Sequence, residues 1–295
     1  MDNFLFMAFA KGEVSKEASE VTRYIGFAPV KVLAFNPNKA QIKELMGFEP
    51  QEEPVYIGSQ DVDGKKVDYV RLSFVVRTTE EPEVTQMLTY FIRNQYVKGS
   101  QSGKYFVGDH YGNTAWATED VIKAKQTVMY SNGPAKLIGD YRPLYEGEIE
   151  VIRFLKEFIV LGSPGDTNGF NYVDGNWVPM PKADLDNNEC YFTAEEVQKM
   201  FKGDFSTIKD AIALQPNNEV KVLFGIRTRE DKEYQTIYPR VLRKKSSKLN
   251  IISDEITERK QAGALSNQIY EFVPLKEYKV EPTDFAAPAE TESPW

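Results

Sequence analysis

The chain has one cysteine, Cys190, and one histidine, His110, in 295 residues. A single cysteine cannot close an internal disulfide, and one residue of each kind cannot assemble the four-ligand Cys/His centre of structural zinc. A Ser-His-Asp or Cys-His catalytic site could draw only on His110 or Cys190, and neither lies in a nucleophile-elbow motif. No GxxxxGK[ST] loop occurs, nor a GxGxxG behind a strand, so nucleotide hydrolysis and dinucleotide binding have no sequence support. No apolar run approaches the roughly 20 residues of a membrane-spanning helix, and the mean hydropathy is -0.46. The opening MDNFLFMAFAKGE has a short apolar patch, but Asp2 stands where a signal peptide is positive and no small-residue cleavage pattern follows. These absences predict an intracellular protein without structural zinc.

What is present suffices for a core: 41% of positions are hydrophobic, enough in a chain of this length for one large domain or two small ones. Lys and Arg number 36 against 44 Asp and Glu, a formal net charge of -8. That balance excludes a uniformly basic coat and leaves room for a local basic face.

Patterning divides the chain into five stretches. Residues 1–22 read as a flexible arm, polar from residue 10 on. From 23 to 118 the reading is a small antiparallel barrel or sheet. PVKVLAF at 29–35 is a strand between Pro29 and Asn36-Pro37, and NKAQIKELMGF at 38–48 predicts a short helix closed by Gly47. YVRLSFVVR at 69–77 alternates, with Val70, Leu72, Phe74 and Val76 on one face and Tyr69, Arg71, Ser73, Val75 and Arg77 on the other. MLTYFIRNQYV at 87–97 sets Leu88, Tyr90, Ile92 and Tyr96 against Thr89, Phe91, Arg93 and Gln95, and KYFVGDHYGNTAWA at 104–117 predicts two short strands around a turn. Residues 119–217 read as a mostly helical insertion with a helix over 146–162, a long loop from Ser163 to Asn188, and helices through Phe201 and over 205–214. Residues 218–280 complete the sheet, with a strand at 219–230 and another near 267–275. The tail, 281–295, holds acids and prolines without periodicity and predicts disorder.

Two acidic loops stand out. Asp184, Asp186, Asn188 and Glu195 follow much of an EF-hand spacing, but Glu189 occupies the glycine position and Pro179 and Pro181 deny the loop its entering helix, which favours an ordinary acidic loop. Asp61-Val-Asp63-Gly64-Lys65 is a hairpin turn.

The more informative feature is the interleaving of aromatic and basic residues on strands: Tyr69, Arg71 and Arg77, then Phe91 and Arg93, then Arg227, Arg229, Tyr234, Tyr238 and Arg240. Rings that stack on bases beside guanidinium groups that meet phosphates are what single-stranded nucleic acid requires. The same pattern also fits core aromatics backed by a solvated arginine face. Charge segregation favours the first reading. Arg240, Arg243, Lys244, Lys245 and Lys248 form an acid-free run, while the tail gathers Glu281, Asp284, Glu290 and Glu292 ahead of Trp295. Trp116 is a candidate either for base stacking or for the core.

YIGFAPVKVLAFNP, DHYGNTAWA at 109–117, DYRPLYEGEIEVIRFLKEFI at 140–159 and EYQTIYPRVLRKKS at 233–246 together resemble the replication single-stranded DNA-binding proteins of tailed bacteriophages, over residues 24–246. The resemblance implies a β-rich α+β fold, an OB-type antiparallel five-stranded barrel with a helical insertion and a disordered acidic C-terminal tail. It implies a non-enzymatic, cofactor-free protein that coats DNA exposed during replication, recombination and repair in the cytoplasm of an infected bacterium. The groove would comprise Arg71, Arg77, Phe91, Arg93, Arg227, Arg229, Tyr234, Tyr238, Arg240, Arg243, Lys244, Lys245 and Lys248. The tail, through Asp284, Phe285, Glu290, Glu292 and Trp295, would contact replisome proteins such as a polymerase, helicase or primase, and self-association is open. The chain lacks the Cys and His ligands of zinc-containing members of that class. Two rival readings are a virion structural or cargo protein that binds other proteins, and a metal-dependent nuclease using Asp184, Asp186 and Glu195.

Overall fold

A computed structural model describes residues 22–100, 102–108, 114–124, 127–130, 133–137, 141–158, 170–173, 176–179, 194–213, 219–244 and 246–279, with the backbone path alone for 127–130, 133–137, 170–173, 176–179 and 211. The arm up to residue 21, His110, Cys190, most of the 163–188 loop with Asp184, Asp186 and Asn188, together with Glu189, Lys245 and the tail from Glu281 lie outside the described residues.

Five long strands make the body: β1 (Arg23–Phe35), β2 (Lys65–Thr78), β3 (Thr85–Tyr96), β4 (Glu219–Arg229) and β5 (Lys232–Ile237). They pair antiparallel in the order β3-β2-β1-β4-β5. β1 is central, matching Val30 to Thr78 of β2 on one side and to Val220 of β4 on the other. Pro29 is tolerated there because its carbonyl accepts from Thr79 N–H, which directs its missing donor past the end of the β2 ladder. β4 and β5 are joined by Glu230-Asp231, both at positive φ (50° and 58°), the two-residue type I′ geometry that matches strand twist. The sheet is curled. Gln86 of β3 donates to the Gln235 carbonyl of β5 at 3.2 Å, and Tyr90 of β3 donates to the Pro239 carbonyl at 2.6 Å, so the two ends of the strand order come together.

The helices are α1 (Lys39–Met46), α2 (Glu119–Lys123), α3 (Glu148–Phe158), α4 (Ala194–Met200), α5 (Ser206–Ala213) and α6 (Asn250–Gln261). α1 starts in a capping box, Asn38 and Gln41 each accepting the other's backbone N–H, and stops at Gly47 with φ 74°, as the sequence predicts. α3 lies between β3 and β4 in the chain and fills the inside of the curl. Val151, Ile152, Phe154, Leu155 and Phe158 join Val70, Leu72, Phe74, Tyr90, Ile92, Val220, Val222 and Phe224 in one core. The Phe154 ring centroid is 4.4 Å from that of Phe74 and 5.5 Å from that of Tyr90. Val197, Met200 and Ile208 from α4 and α5 enter the same core.

Among its described residues the stretch 119–217, expected as a mostly helical insertion, carries the helices α2 to α5 and short strands as well. It contains strands at Thr127–Tyr130, Gly133–Leu137, Arg142–Pro143, Tyr145–Glu146, Phe170–Val173 and Asn176–Pro179, and its α3 is the central packing element of the sheet. α6, absent from the sequence reading, covers the outer side of β4: Ile252 and Ile256 pack with Leu223, Tyr238, Leu265 and Tyr270 in a second cluster. The expected strand near 267–275 is present as Gln268–Tyr270 on β4, followed by Lys276–Tyr278 on β1. Gly225 is required where the first of these passes, because a Cβ there would lie 2.3 Å from the Tyr270 ring. The architecture is β-rich α+β, a curled antiparallel half-barrel with helices inside and against it.

Candidate nucleic-acid interface

The outer faces of β2 and β3 carry the alternate residues that the core does not use. Cross-strand register sets Tyr69 opposite Arg93 and Arg71 opposite Phe91. Rings and guanidinium groups thus sit on the two diagonals of one quartet, with directly opposed Cβ atoms about 4.5–5.5 Å apart. Tyr69 and Phe91, both half-buried, meet edge to face at 5.8 Å. Tyr69 lies across Gly58, where a Cβ would come within 2.7 Å of its hydroxyl. Arg71 is buried with its guanidinium 5.0 Å from the Tyr56 ring centre. Tyr56 donates to the Pro37 carbonyl at 2.5 Å, and burial pushes its phenol up to about 12, so it remains neutral and keeps that bond.

Arg93 is held by a carboxylate. Its Nη1 is 2.6 Å from Oε1 of Glu146, whose Oε2 accepts from Gln95 Nε2. Glu146 belongs to the two-residue strand Tyr145–Glu146, which pairs it with Arg93. The chain then turns at Gly147 (φ 81°), where a Cβ would lie 1.8 Å from the Phe91 carbonyl oxygen. Only glycine allows that approach. Glu148, one residue on, is fully buried, and it accepts from both terminal nitrogens of Arg142 and from Tyr145 N–H.

Beyond the quartet the face is closed. Ser73 and Val75 are fully buried, and Asn36 both donates its N–H to the Ser73 carbonyl and accepts the Ser73 N–H on its side chain. Arg77 donates to Thr85 Oγ1 at 2.8 Å and to the Leu45 carbonyl at 3.3 Å, and stands 3.5 Å from Glu83. It thereby ties the C-terminal end of α1, where a cation is favoured, to the sheet.

The remaining expected groove residues are elsewhere. Arg227 faces Tyr234 across β4 and β5, and Arg229 pairs with Glu230 at 3.3 Å. Burial first, and then the neighbouring Arg229 charge, lowers the Arg227 pKa. This hairpin tip lies at the Gln86 end of β3, and Arg93 is seven residues further on, about 23 Å at strand spacing. Tyr238 is a correction to the sequence reading. It is fully buried against Tyr270 and donates to Glu255 Oε1 at 2.7 Å, so its ring cannot stack on a base.

In the basic run three of the four described cations have carboxylate partners. Arg240 pairs with Glu255 at 2.7 Å, Arg243 with Glu157 at 3.6 Å and Lys244 with Glu219 at 2.6 Å. The compensating acids come from α6, α3 and β4, so no count within the run reveals them. Lys248 is exposed, and Trp116 is 46% exposed beside Phe106. Glu195 lies in the first turn of α4. Among the described residues no group of three or more His, Cys, Asp or Glu side chains could hold a metal ion.

Comparison of the chain with protein-family models, curated proteins and solved structures gave no match. The site is thus read from its own geometry. Sequence reasoning missed Tyr56, Glu146 and Gly147, for which it holds no local signal. Gln95 was visible as the next outward residue after Phe91 and Arg93 on an alternating strand.

Proposed function

We propose that the chain binds single-stranded DNA without sequence preference through the outer face of β2 and β3, and that it does so without catalysis. The observation that carries this reading is the Tyr69–Arg93 and Arg71–Phe91 quartet, two rings and two arginines in register on one sheet face. Two rings serve two bases, at roughly 1–3 kcal/mol per stacked base.

We further read the curled sheet as an OB-type barrel. Support comes from the ring order β1-β2-β3-β5-β4, in which the last strand returns beside the third, and from α3 entering between the third and fourth strands. In that fold the second and third strands are the ones that carry oligonucleotides, and these are the strands that hold the quartet. On the sequence resemblance to the tailed-phage proteins, which rests on the residue stretches quoted above alone, the proposal extends to coating DNA during replication, recombination and repair in the cytoplasm of an infected bacterium. The acidic tail ending in Trp295 then serves replisome partners.

The test is fluorescence anisotropy of a labelled oligothymidylate titrated with the full chain at several salt concentrations. The expected result is tight binding whose logarithm falls with log salt at about 0.7 per phosphate neutralised. An equal preference for duplex, or no binding at low salt, would refute it.

A further inference from the structure

The arginine–carboxylate pairs around this face differ in how replaceable the acid is. Glu148 is fully buried and serves three donors, so it cannot leave without stranding Arg142 and Tyr145 N–H. Glu146 keeps 38% of its side chain in solvent while its two oxygens are divided between Arg93 Nη1 and Gln95 Nε2. Two N–H donors converging on two oxygens of one anion would serve two oxygens of a phosphodiester equally well. The place is right for one: Arg93 is directly opposite Tyr69 and two residues from Phe91 on the same face, so an anion there is flanked by both rings. Exchange needs only a side-chain rotation, because the Glu146 backbone is pinned by its pairing to Arg93 and by the tight passage of Gly147 beneath Phe91.

We propose that Arg93 and Gln95 form a backbone-phosphate subsite, and that Glu146 is its resident counter-anion, which an incoming strand must displace. The proposal rests on the single-stranded DNA reading above. Glu146 then lowers affinity for DNA and keeps Arg93 from being a buried charge without a partner when DNA is absent.

The test uses the full-length chain as wild type, Glu146→Gln, Glu258→Gln and Gln95→Met, with labelled oligothymidylate and inorganic phosphate as probes. Glu258 lies on the exposed side of α6 and controls for net charge. Glu146→Gln is expected to bind oligothymidylate about tenfold more tightly, the size of one charge-assisted bond no longer in competition. Glu258→Gln should stay within about twofold of wild type by the same measure. Gln95→Met should bind more weakly with an unchanged melting temperature. Inorganic phosphate should raise the melting temperature of Glu146→Gln more than that of wild type. Equal or weaker DNA binding by a folded Glu146→Gln, an equal gain in Glu258→Gln, or unchanged binding by Gln95→Met would each overturn the proposal. If neither wild type nor Glu146→Gln binds oligothymidylate, the DNA reading fails. Phosphate then decides the subsite alone: stabilisation of Glu146→Gln that disappears when Arg93→Met is added supports it, and no stabilisation overturns it.

Discussion

Replacing Glu148 by alanine perturbs the point that anchors the whole 142–148 turn. Its carboxylate is inaccessible to solvent, and it accepts from both Arg142 terminal nitrogens and from Tyr145 N–H. Removing one partner of a buried ion pair costs about 3–5 kcal/mol, because the other charge is left in a poor solvent. Arg142 softens this, since its side chain is 21% exposed and one nitrogen also reaches the Pro143 carbonyl at 3.2 Å. The lower half of the range, about 3–4 kcal/mol, is therefore expected. That is a large fraction of the roughly 5–15 kcal/mol by which domains are stable. Urea unfolding read by far-UV circular dichroism measures it as a lower midpoint at an unchanged slope. The exposed Glu119–Lys123 pair on α2 is the control, and Glu119→Ala should leave the midpoint where it is. A loss below about 1 kcal/mol for Glu148→Ala would refute the reasoning, since a solvent-screened pair would account for it.

Three further outcomes follow from the structure. Phe91→Leu keeps an apolar side chain against Tyr69 but removes the stacking face, so oligothymidylate affinity should fall about 5- to 100-fold by anisotropy while the melting temperature moves little. Burial raises the pKa of the Glu150 carboxyl, and the Arg153 guanidinium at 3.2 Å only partly offsets this. A carboxyl pKa that is raised on folding favours the folded state below its unfolded pKa of about 4.3, and that contribution is lost as pH rises through the folded value. Glu150→Gln should therefore melt higher than wild type at pH 7 and match it near pH 4, and a gain that is independent of pH would contradict this. Truncation after Val280 removes Glu281, Asp284, Glu290 and Glu292, and should strengthen oligothymidylate binding most at low salt; equal binding by both forms would show that the tail does not compete.

The body of the fold was largely legible because two-residue alternation is a strong signal. Val70, Leu72, Phe74 and Val76 were read as one core face and are all fully buried. The helix over 38–48 was readable from the spacing of Ile42, Leu45 and Met46 and from its closing Gly47. α6 was not, because NIISDEITERKQ buries only Ile252 and Ile256 and shows a narrow apolar stripe among charges. The quartet of the candidate site was readable for the same reason as the core: Tyr69, Arg71, Phe91 and Arg93 were placed on the outer face by periodicity. What periodicity cannot supply is the partner of a charge. Glu255, Glu157 and Glu219 pair with Arg240, Arg243 and Lys244 from 15, 86 and 25 residues away, so an apparently acid-free run has its counter-charges on other elements. Tyr238 failed as a groove residue for a related reason, since α6 covers the face that the strand pattern left open.

The central claim is that DNA lies on the outer face of β2 and β3. Ultraviolet cross-linking of bound oligothymidylate, followed by mass-spectrometric mapping of the modified peptides, tests it most directly. The account predicts adducts on Tyr69 and Phe91, lost from the Phe91 peptide in Phe91→Leu. Adducts confined to the Arg227–Tyr234 hairpin or to the 240–248 run, with none on β2 or β3, would contradict it.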